Sequence, residues 1–244
     1  MWLRLTNQWT GKCSFGDRCL HTIDPTRNVL NPYQVSIVLN ACMTPSDPTT
    51  IILQNVITII GRTLEPFDKK HLIPVFGFGD ATTADRSIFS FHPDGRPCRG
   101  LREVLKRYDE LTPQLALGGP TNFAPIIYEA IRRVKATNSY HILVIIADGQ
   151  VTSEIETSQA IVEASKYALF VVGVGDGPWD LMEHYDDALP ARKFDNFQFV
   201  NFNRVVNQNP SKPDLGFATS ALMEIPEQFK IIQSLGYLQT AMAK

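Results

Sequence analysis

Continuous apolar runs of strand length mark three places in the chain. They cover residues 72–78 (LIPVFGF), 141–147 (HILVIIA) and 169–174 (LFVVGV). Runs without regular polar alternation are typical of parallel strands that are buried on both faces of a sheet. The pattern therefore predicts at least three parallel strands inside one hydrophobic core.

Amphipathic stretches with helical spacing lie between these runs. Apolar side chains recur three or four positions apart within residues 56–64, 101–111, 126–134 and 161–168. Because strands and helices alternate, each helix is expected to cross between parallel strands. The predicted fold class is α/β, a doubly wound, mostly parallel sheet with helices on both faces. Residues 89–91 and 197–202 are predicted as outer strands, and residues 213–235 as a helix interrupted at Pro226.

Charge balance and cysteine spacing exclude several classes of function. The chain has 244 residues, with 23 Lys and Arg against 25 Asp and Glu. A formal net charge of −2 gives no strong field for nucleic acid or an anionic membrane, so no nucleic-acid partner is expected. The four cysteines form no C-x-x-C pair and the five histidines stand far apart. We therefore expect no zinc site.

The N-terminal residues carry no targeting pattern. Residues 1–10 are mixed in polarity and lack the apolar core of a signal peptide. Trp2 stands where N-myristoylation requires glycine. No apolar run approaches the roughly 18–20 residues that span a bilayer. These features predict an intracellular protein of the cytoplasm, the nucleus or both, with reduced cysteines and no transmembrane segment.

Loops that carry carboxylates follow the three predicted strands. Asp80 follows the first run, Asp148 the second and Asp176 the third. In a doubly wound sheet such loops meet at the carboxyl edge of the strands, where ligands bind. Thr121, just before a predicted helix, is expected at the same edge. Carboxylate and hydroxyl oxygens suit Mg²⁺, with Mn²⁺ or Ca²⁺ as alternatives, better than a soft metal.

The loop acids and Thr121 can also be explained without a metal-binding role, as turn and cap residues. The acids leave a second function open as well. Asp148 with the following glycine can form a simple turn, because Asp bonds to nearby backbone and Gly tolerates a positive φ. Thr121 can be the N-cap of the next helix. The three loop acids, Asp80, Asp148 and Asp176, leave a metal-dependent hydrolase open as an alternative function.

A glycine-rich segment at residues 173–177 (GVGDG) is similar to a dinucleotide-binding fingerprint. Pro178 stands where the third glycine is needed. Asp195 lies at a suitable distance, but before a predicted strand rather than at the end of one. The sequence therefore does not favour nucleotide binding.

Several longer segments resemble a known family. They are residues 119–127 (GPTNFAPII), 141–150 (HILVIIADGQ), 173–180 (GVGDGPWD), 190–202 (PARKFDNFQFVNF) and 221–230 (ALMEIPEQFK). They resemble the copine-type von Willebrand factor A domain, in particular that of plant RING-finger E3 ubiquitin ligases. The resemblance implies a protein-interaction module that binds a protein partner or a ubiquitination substrate. It leaves the oligomeric state unknown.

The resemblance also implies a metal-ion-dependent adhesion site. In the family pattern D-x-S/T-x-S follows the first strand, a Thr lies in a later loop and an Asp follows the fourth strand. Carried over, the loop Thr is Thr121, the late Asp is Asp148, and Thr6 stands for the last hydroxyl. The first Asp falls on Trp2 and the next hydroxyl position on Arg4. The implied site is therefore degenerate and weakened for Mg²⁺, and an acidic side chain of a partner would complete it.

The domain organisation departs from the family near the N-terminus. Residues 1–208 are expected to form the copine domain, and residues 209–244 a helical extension packing on it. Most of the central first strand is missing, so its neighbours are expected to lack backbone partners. Residues 35–54 interrupt what should be one helix. Pro45 and Pro48 prevent a continuous helix there, so this insert is expected to be either a strand or a disordered bulge.

The cysteines of a RING finger are absent from the chain. Ubiquitin transfer by this chain alone is therefore not expected, although the resemblance is to RING-type ubiquitin transferases. A truncated, non-functional gene product is one alternative interpretation. Calcium-dependent phospholipid binding is another, but no segment resembles the C2 domains on which full copines rely.

Overall fold

The computed structural model describes residues 34–40, 48–64, 71–116, 118, 121–147, 151–175 and 180–238. In chain order, the strands and α-helices are β1 (Gln34–Asn40), α1 (Pro48–Leu64), β2 (Leu72–Ile73), β3 (Val75–Phe78), β4 (Phe89–Ser90), β5 (Cys98–Arg99), α2 (Gly100–Leu111), α3 (Ala124–Thr137), β6 (His141–Ile146), α4 (Glu154–Ala164), β7 (Leu169–Gly175), α5 (Asp180–Asp187), β8 (Phe197–Asn201), α6 (Phe202–Gln208), α7 (Pro213–Leu222) and α8 (Ile225–Ser234).

The described strands form one large sheet and one small ribbon. The six-stranded sheet has the order β4-β3-β1-β6-β7-β8, and every neighbouring pair is parallel except β3 and β4. β2 and β5 pair separately as an antiparallel ribbon. The predicted outer strands are the two edges, β4 and β8. This topology confirms the predicted α/β class with a mostly parallel sheet.

Helices cover both faces of this sheet. From β1 the chain crosses to β3 on one side, whereas from β6 it crosses to β7 and β8 in the opposite direction. Right-handed crossovers in opposite directions place their helices on opposite faces. Packing agrees, because α1 contacts α2 and α7, whereas α3 contacts α4. The doubly wound arrangement follows from this reversal of direction.

The centre of the sheet is occupied, contrary to the expectation of a missing first strand. β1 pairs with β3 from Ile37 to Asn40 and with β6 from Gln34 to Leu39. Residues 35–39 are all buried, as a strand covered on both faces requires. The neighbours of the central position therefore have backbone partners, and these come from the segment interpreted as an insert.

The second half of that segment belongs to α1. Pro48 is the first residue of the helix, where proline costs no hydrogen bond because the first N–H groups have no intrahelical acceptor. The strand alternative for residues 35–54 is thus confirmed for residues 35–40, whereas residues 48–54 belong to a helix. Proline acts in the same way near the C-terminus, where α7 ends at Leu222 and Pro226 lies in the first turn of α8.

The C-terminal helices share the core of the sheet. Phe217 of α7 and Ile232 of α8 are fully buried. The ring of Phe217 lies 5.1 Å from that of Phe202, and the ring of Phe229 lies 5.6 Å from that of Tyr140 beside β6. These aromatic contacts attach both helices to the sheet, and they add to the free energy of burial.

The strand order reverses between β1 and β6. Ligands of doubly wound proteins bind outside the carboxyl ends of the strands at such a point. The residues that leave these two strands are Asn40 and Ala147. In the described part of the chain, no helix has the length and apolar character needed to cross a bilayer.

Candidate functional site

Only one of the predicted metal ligands lies in the described part of the chain. Thr121 is half-buried in the loop before α3. Asp148, Thr6 and Trp2 lie outside the described residues, as does Asp176. Asp148 is the second residue after β6, and the chain therefore leaves the sheet at the reversal point just before it.

Backbone hydrogen bonds join the Thr121 loop to the start of α4. The carbonyl oxygen of Thr121 accepts hydrogen bonds from the Thr152 N–H at 2.9 Å and the Thr152 hydroxyl at 3.1 Å. The Ser153 N–H donates to the same carbonyl at 3.4 Å. The backbone of Thr121 is therefore fixed by a neighbouring element.

The next residue, Asn122, anchors the loop on two other sides. Its Nδ2 donates to the backbone oxygen of Asp85 at 3.0 Å, and its Oδ1 accepts from the Ala124 N–H at 2.9 Å. Asn122 therefore supplies the side-chain bond to the first turn of α3. The interpretation of Thr121 as the N-cap is wrong, because the residue at that position is Phe123 and no side-chain hydrogen bond caps it.

A close backbone approach completes the support of this loop. The Ala81 N–H donates to Ala116 at 2.8 Å, and the Gly118 N–H donates to Gly79 at 3.1 Å. A Cβ on Gly118 would lie 2.5 Å from the Cα of Ala81, so only glycine fits here without a backbone shift. The turn after β3 and the loop before Thr121 therefore pack as one unit.

Asp80 is a structural residue of that turn. It is 6% exposed, and both of its carboxylate oxygens accept hydrogen bonds. The Thr82 hydroxyl donates to Oδ2 at 2.6 Å, and the Thr83 N–H donates to Oδ1 at 2.9 Å, with a further bond from the Thr83 hydroxyl. Burial raises the pKa of Asp80, but these hydrogen bonds outweigh it and hold the pKa below its ordinary value. Asp80 is thus ionised and already occupied, which removes one carboxylate from the hydrolase alternative.

The central strand ends at a residue that is not an acid. The residue at that place is Asn40, aligned with Phe78 of β3. Of the predicted metal ligands, Thr121 is the one whose oxygen the described residues contain. Protein Mg²⁺ sites use one or two carboxylates together with ligand oxygens. The described residues by themselves therefore supply only part of the ligand set of a hard divalent cation.

This strand end was missed by the sequence interpretation. Residues 35–39 read VSIVL and are followed directly by Asn40 and a proline-containing loop. A short apolar, β-branched run with that boundary is a signal for a buried strand. The family resemblance places the first strand near the N-terminus, and on that basis the sequence predicts an insert here, whereas the structure has the central strand.

An exposed apolar side chain lies beside the Thr121 loop. Ile155, in the first turn of α4, is 73% exposed, and it follows closely the residues that donate to Thr121. An exposed isoleucine near an oxygen-rich loop offers a contact for the apolar part of a protein partner. The carboxyl edge therefore combines polar donors with apolar surface.

Solved structures similar to this chain match it only weakly, and one of them is described as von Willebrand factor type A. The type A protein from Catenulispora acidiphila has a TM-score of 0.48 and 14% identity, covering 84% of this chain and 43% of its own. The manganese-loaded TRAP protein of Plasmodium vivax has a TM-score of 0.46 and 11% identity. This match covers 74% of this chain and 73% of the TRAP chain. At these scores the similarity adds nothing to the fold described above.

Curated proteins give much stronger matches. E3 ubiquitin-protein ligase RGLG1 of Arabidopsis thaliana is 47% identical over 250 residues, which is 96% of this chain and 46% of the relative. RGLG3 of the same plant is 46% identical, over 94% of this chain and 61% of the relative. Copine family protein 1 of Caenorhabditis elegans is 47% identical, over 96% of this chain and 19% of the relative. The chain spans about half the length of the plant ligases that it matches.

A model of one protein family, described as Copine, matches residues 41–241. The match begins at the residue after β1, so the central strand precedes the matched region. It includes the Thr121 loop, Asp148 and every described helix. This chain belongs to the copine family.

Proposed function

We propose that this copine domain is a protein-interaction module that binds its partner at the carboxyl edge of the sheet. The observation that carries the proposal is the Thr121 loop, which hydrogen bonds hold to Thr152, Asp85 and the first turn of α3. A rigid loop costs little conformational entropy when a partner binds. The relatives include E3 ubiquitin-protein ligases, so a ubiquitination substrate is the partner class we infer.

We further propose that a divalent cation bridges the chain and its partner. Thr121 and Asp148 supply a hydroxyl and one carboxylate for Mg²⁺, with Mn²⁺ or Ca²⁺ as alternatives. Thr6 is a third proposed oxygen donor. When bound, the ion polarises and orients the ligand oxygens around it. Because these proposed donors include a single carboxylate, an acidic side chain of the partner supplies the second.

A peptide array tests the metal-bridged interaction. We expect peptides containing Asp or Glu to bind in Mg²⁺, and binding to fall by at least about tenfold in EDTA or in the variant Thr121→Ala/Asp148→Ala. The matched control Thr137→Ala/Asp94→Ala removes an exposed hydroxyl and an exposed acid elsewhere and should bind as the unmodified protein does. Equal binding by the Thr121→Ala/Asp148→Ala variant would contradict the metal bridge.

Adding a carboxylate at the end of β1 should strengthen metal binding by the free chain. We expect Asn40→Asp to bind Mg²⁺ or Mn²⁺ at least about tenfold more tightly than the unmodified protein, because a second carboxylate joins Asp148. The measurement is the rise in melting temperature between EDTA and metal, since an ion that binds only the folded state raises it. Asn55→Asp, the same change on the exposed surface of α1, should leave the metal-induced shift unchanged. If the metal raises the melting temperature of Asn40→Asp no more than that of the unmodified protein, residue 40 does not take part in metal binding.

A further inference from the structure

An apolar cleft lies at the start of the central strand, between α1, α2 and the β2–β5 ribbon. Its wall includes Val35 of β1, Leu64 of α1, Ile73 of β2 and Leu101 of α2. Including the space at its mouth, the cleft has a volume of about 370 Å³. This volume lies at the small end of the range of binding pockets, and it is sufficient for one apolar side chain.

Contacts between the surrounding elements hold the walls of this cleft in place. α1 approaches α2 at Gly61, where a Cβ would lie 2.6 Å from Leu101 Cδ1. The Gly100 N–H donates to the carbonyl oxygen of His71 at 2.8 Å, which joins the start of α2 to the ribbon. Gly61, His71 and Gly100 all line the cleft. Because the walls are already ordered, a ligand would bind without the entropy cost of ordering them.

Three exposed arginines lie next to the cleft. Arg62, Arg99 and Arg102 are each adjacent in sequence to a residue of its wall. None of the three forms an ion pair with an acid among the residues that the structure describes. Asp94 and Glu103, acids of the same region, pair with Arg96 instead. Unpaired positive charge is therefore concentrated here, although the formal net charge of the chain is −2.

An exposed leucine extends the apolar surface beside one of these arginines. Leu72 is 42% exposed and lies directly opposite Arg99 in the β2–β5 ribbon. Side chains that are directly opposite in an antiparallel pair lie on the same face. The next pair, Ile73 and Cys98, is buried. The outer face of the ribbon therefore presents an apolar and a cationic side chain next to each other.

We propose that this cleft and its arginines bind a segment of a partner protein in which an apolar residue is flanked by Asp or Glu. The apolar side chain would enter the cleft, and the acids would lie against Arg62, Arg99 and Arg102. Complementary charges favour such an encounter and suppress the binding of cationic segments. The cleft lies at the start of β1, whereas the site proposed above uses loops at the carboxyl edge, so the two surfaces are separate.

Charge favours this occupant over the alternatives. Residues 1–33 of the chain contain four Lys or Arg and two Asp, a formal charge of +2, which the three arginines would repel. An anionic membrane attracts clusters of several Lys and Arg on an extended surface. Here the apolar part is a concave cleft, in a chain whose net charge is −2. A short acidic segment with one apolar residue matches both the cleft and its charge.

Fluorescence anisotropy with the labelled peptide Glu-Asp-Leu-Asp-Glu tests the proposal. The titration is done in EDTA, which removes the metal-bridged interaction proposed above. We expect saturable binding with a dissociation constant below about 1 mM. The affinity should fall about tenfold in Arg99→Glu/Arg102→Glu, and it should fall when NaCl is raised from about 50 mM to about 500 mM. Replacing the leucine of the peptide by serine should weaken binding at least about fivefold, because the cleft then stays unfilled.

A matched control separates this surface from general charge effects. Arg86→Glu/Lys212→Glu reverses two exposed cations in the turn after β3 and just before α7, and it should bind the peptide as the unmodified protein does. Melting curves show that each variant is folded.

Three results with the peptide would overturn the proposal: no binding in EDTA, equal binding by Arg99→Glu/Arg102→Glu and the control, or equal binding of the serine peptide. It is also overturned if the acidic peptide does not bind while phosphatidylserine vesicles or a synthetic peptide of residues 1–33 do, because the surface then has a different occupant.

Discussion

Val38→Asp will lower the free energy of unfolding by more than about 4 kcal/mol. Val38 is fully buried in β1, between Phe76 of β3 and Ile145 of β6. A charge at this position has no partner and loses its hydration, which is among the largest costs that one substitution can impose. The total free energy of unfolding of a folded domain is only about 5–15 kcal/mol.

The matched control is Ile155→Asp, the same type of change on the surface of α4. Ile155 is 73% exposed, and its replacement should change the free energy of unfolding by no more than about 0.5 kcal/mol. Urea unfolding followed by circular dichroism measures both variants. A normal unfolding midpoint for Val38→Asp would show that residues 34–40 do not form the central strand, and the assignment of Asn40 to the reversal point would fail with it.

Acidification from pH 7 to pH 5 will lower the free energy of unfolding by about 2 kcal/mol through His141 alone. His141 is fully buried at the start of β6, with its Nε2 3.0 Å from the hydroxyl of Ser36. Burial, assisted by the positive charge of Arg133, lowers the pKa of His141 from 6.5 to about 3. The folded protein therefore keeps the ring neutral, whereas the unfolded chain takes up a proton below about pH 6.5. Stability is fully present above that pH and is lost as the pH falls.

Other groups also titrate in this range, so the measurement compares variants. Urea unfolding at several pH values should show that His141→Gln loses about 2 kcal/mol less than the unmodified protein between pH 7 and pH 5. His184→Gln, which replaces an exposed histidine of α5, should lose as much as the unmodified protein. If His141→Gln and the unmodified protein lose the same amount, His141 does not fold as a buried neutral ring.

The helices and most of the parallel strands could be predicted because their signals are local. Apart from His141, residues 141–147 and 169–174 are apolar, and they form β6 and β7, which are buried throughout. The amphipathic spacing in residues 101–111 and 126–134 matches α2 and α3. Alternation of the two signals was sufficient for the fold class, since parallel strands require crossovers.

Pairing partners could not be predicted in the same way. Residues 35–39 carry the composition of a strand, but whether they lie at the centre of the sheet or in a bulge depends on β3 and β6, which are 34 or more residues away in sequence. The family resemblance places the first strand near residues 1–6, and the sequence prediction followed the resemblance instead of the composition of residues 35–39. Long-range contacts decided the position that local composition left open.

The sequence by itself determined the α/β class and the copine membership, because each depends on short segments. Only the tertiary structure decided that Gln34–Asn40 forms the central strand and that Asp186, Asp195 and Glu224 meet. The physical reason is that burial and neighbouring charge are properties of contacts between distant segments, and they set the pairing of a strand and the chemistry of a carboxylate.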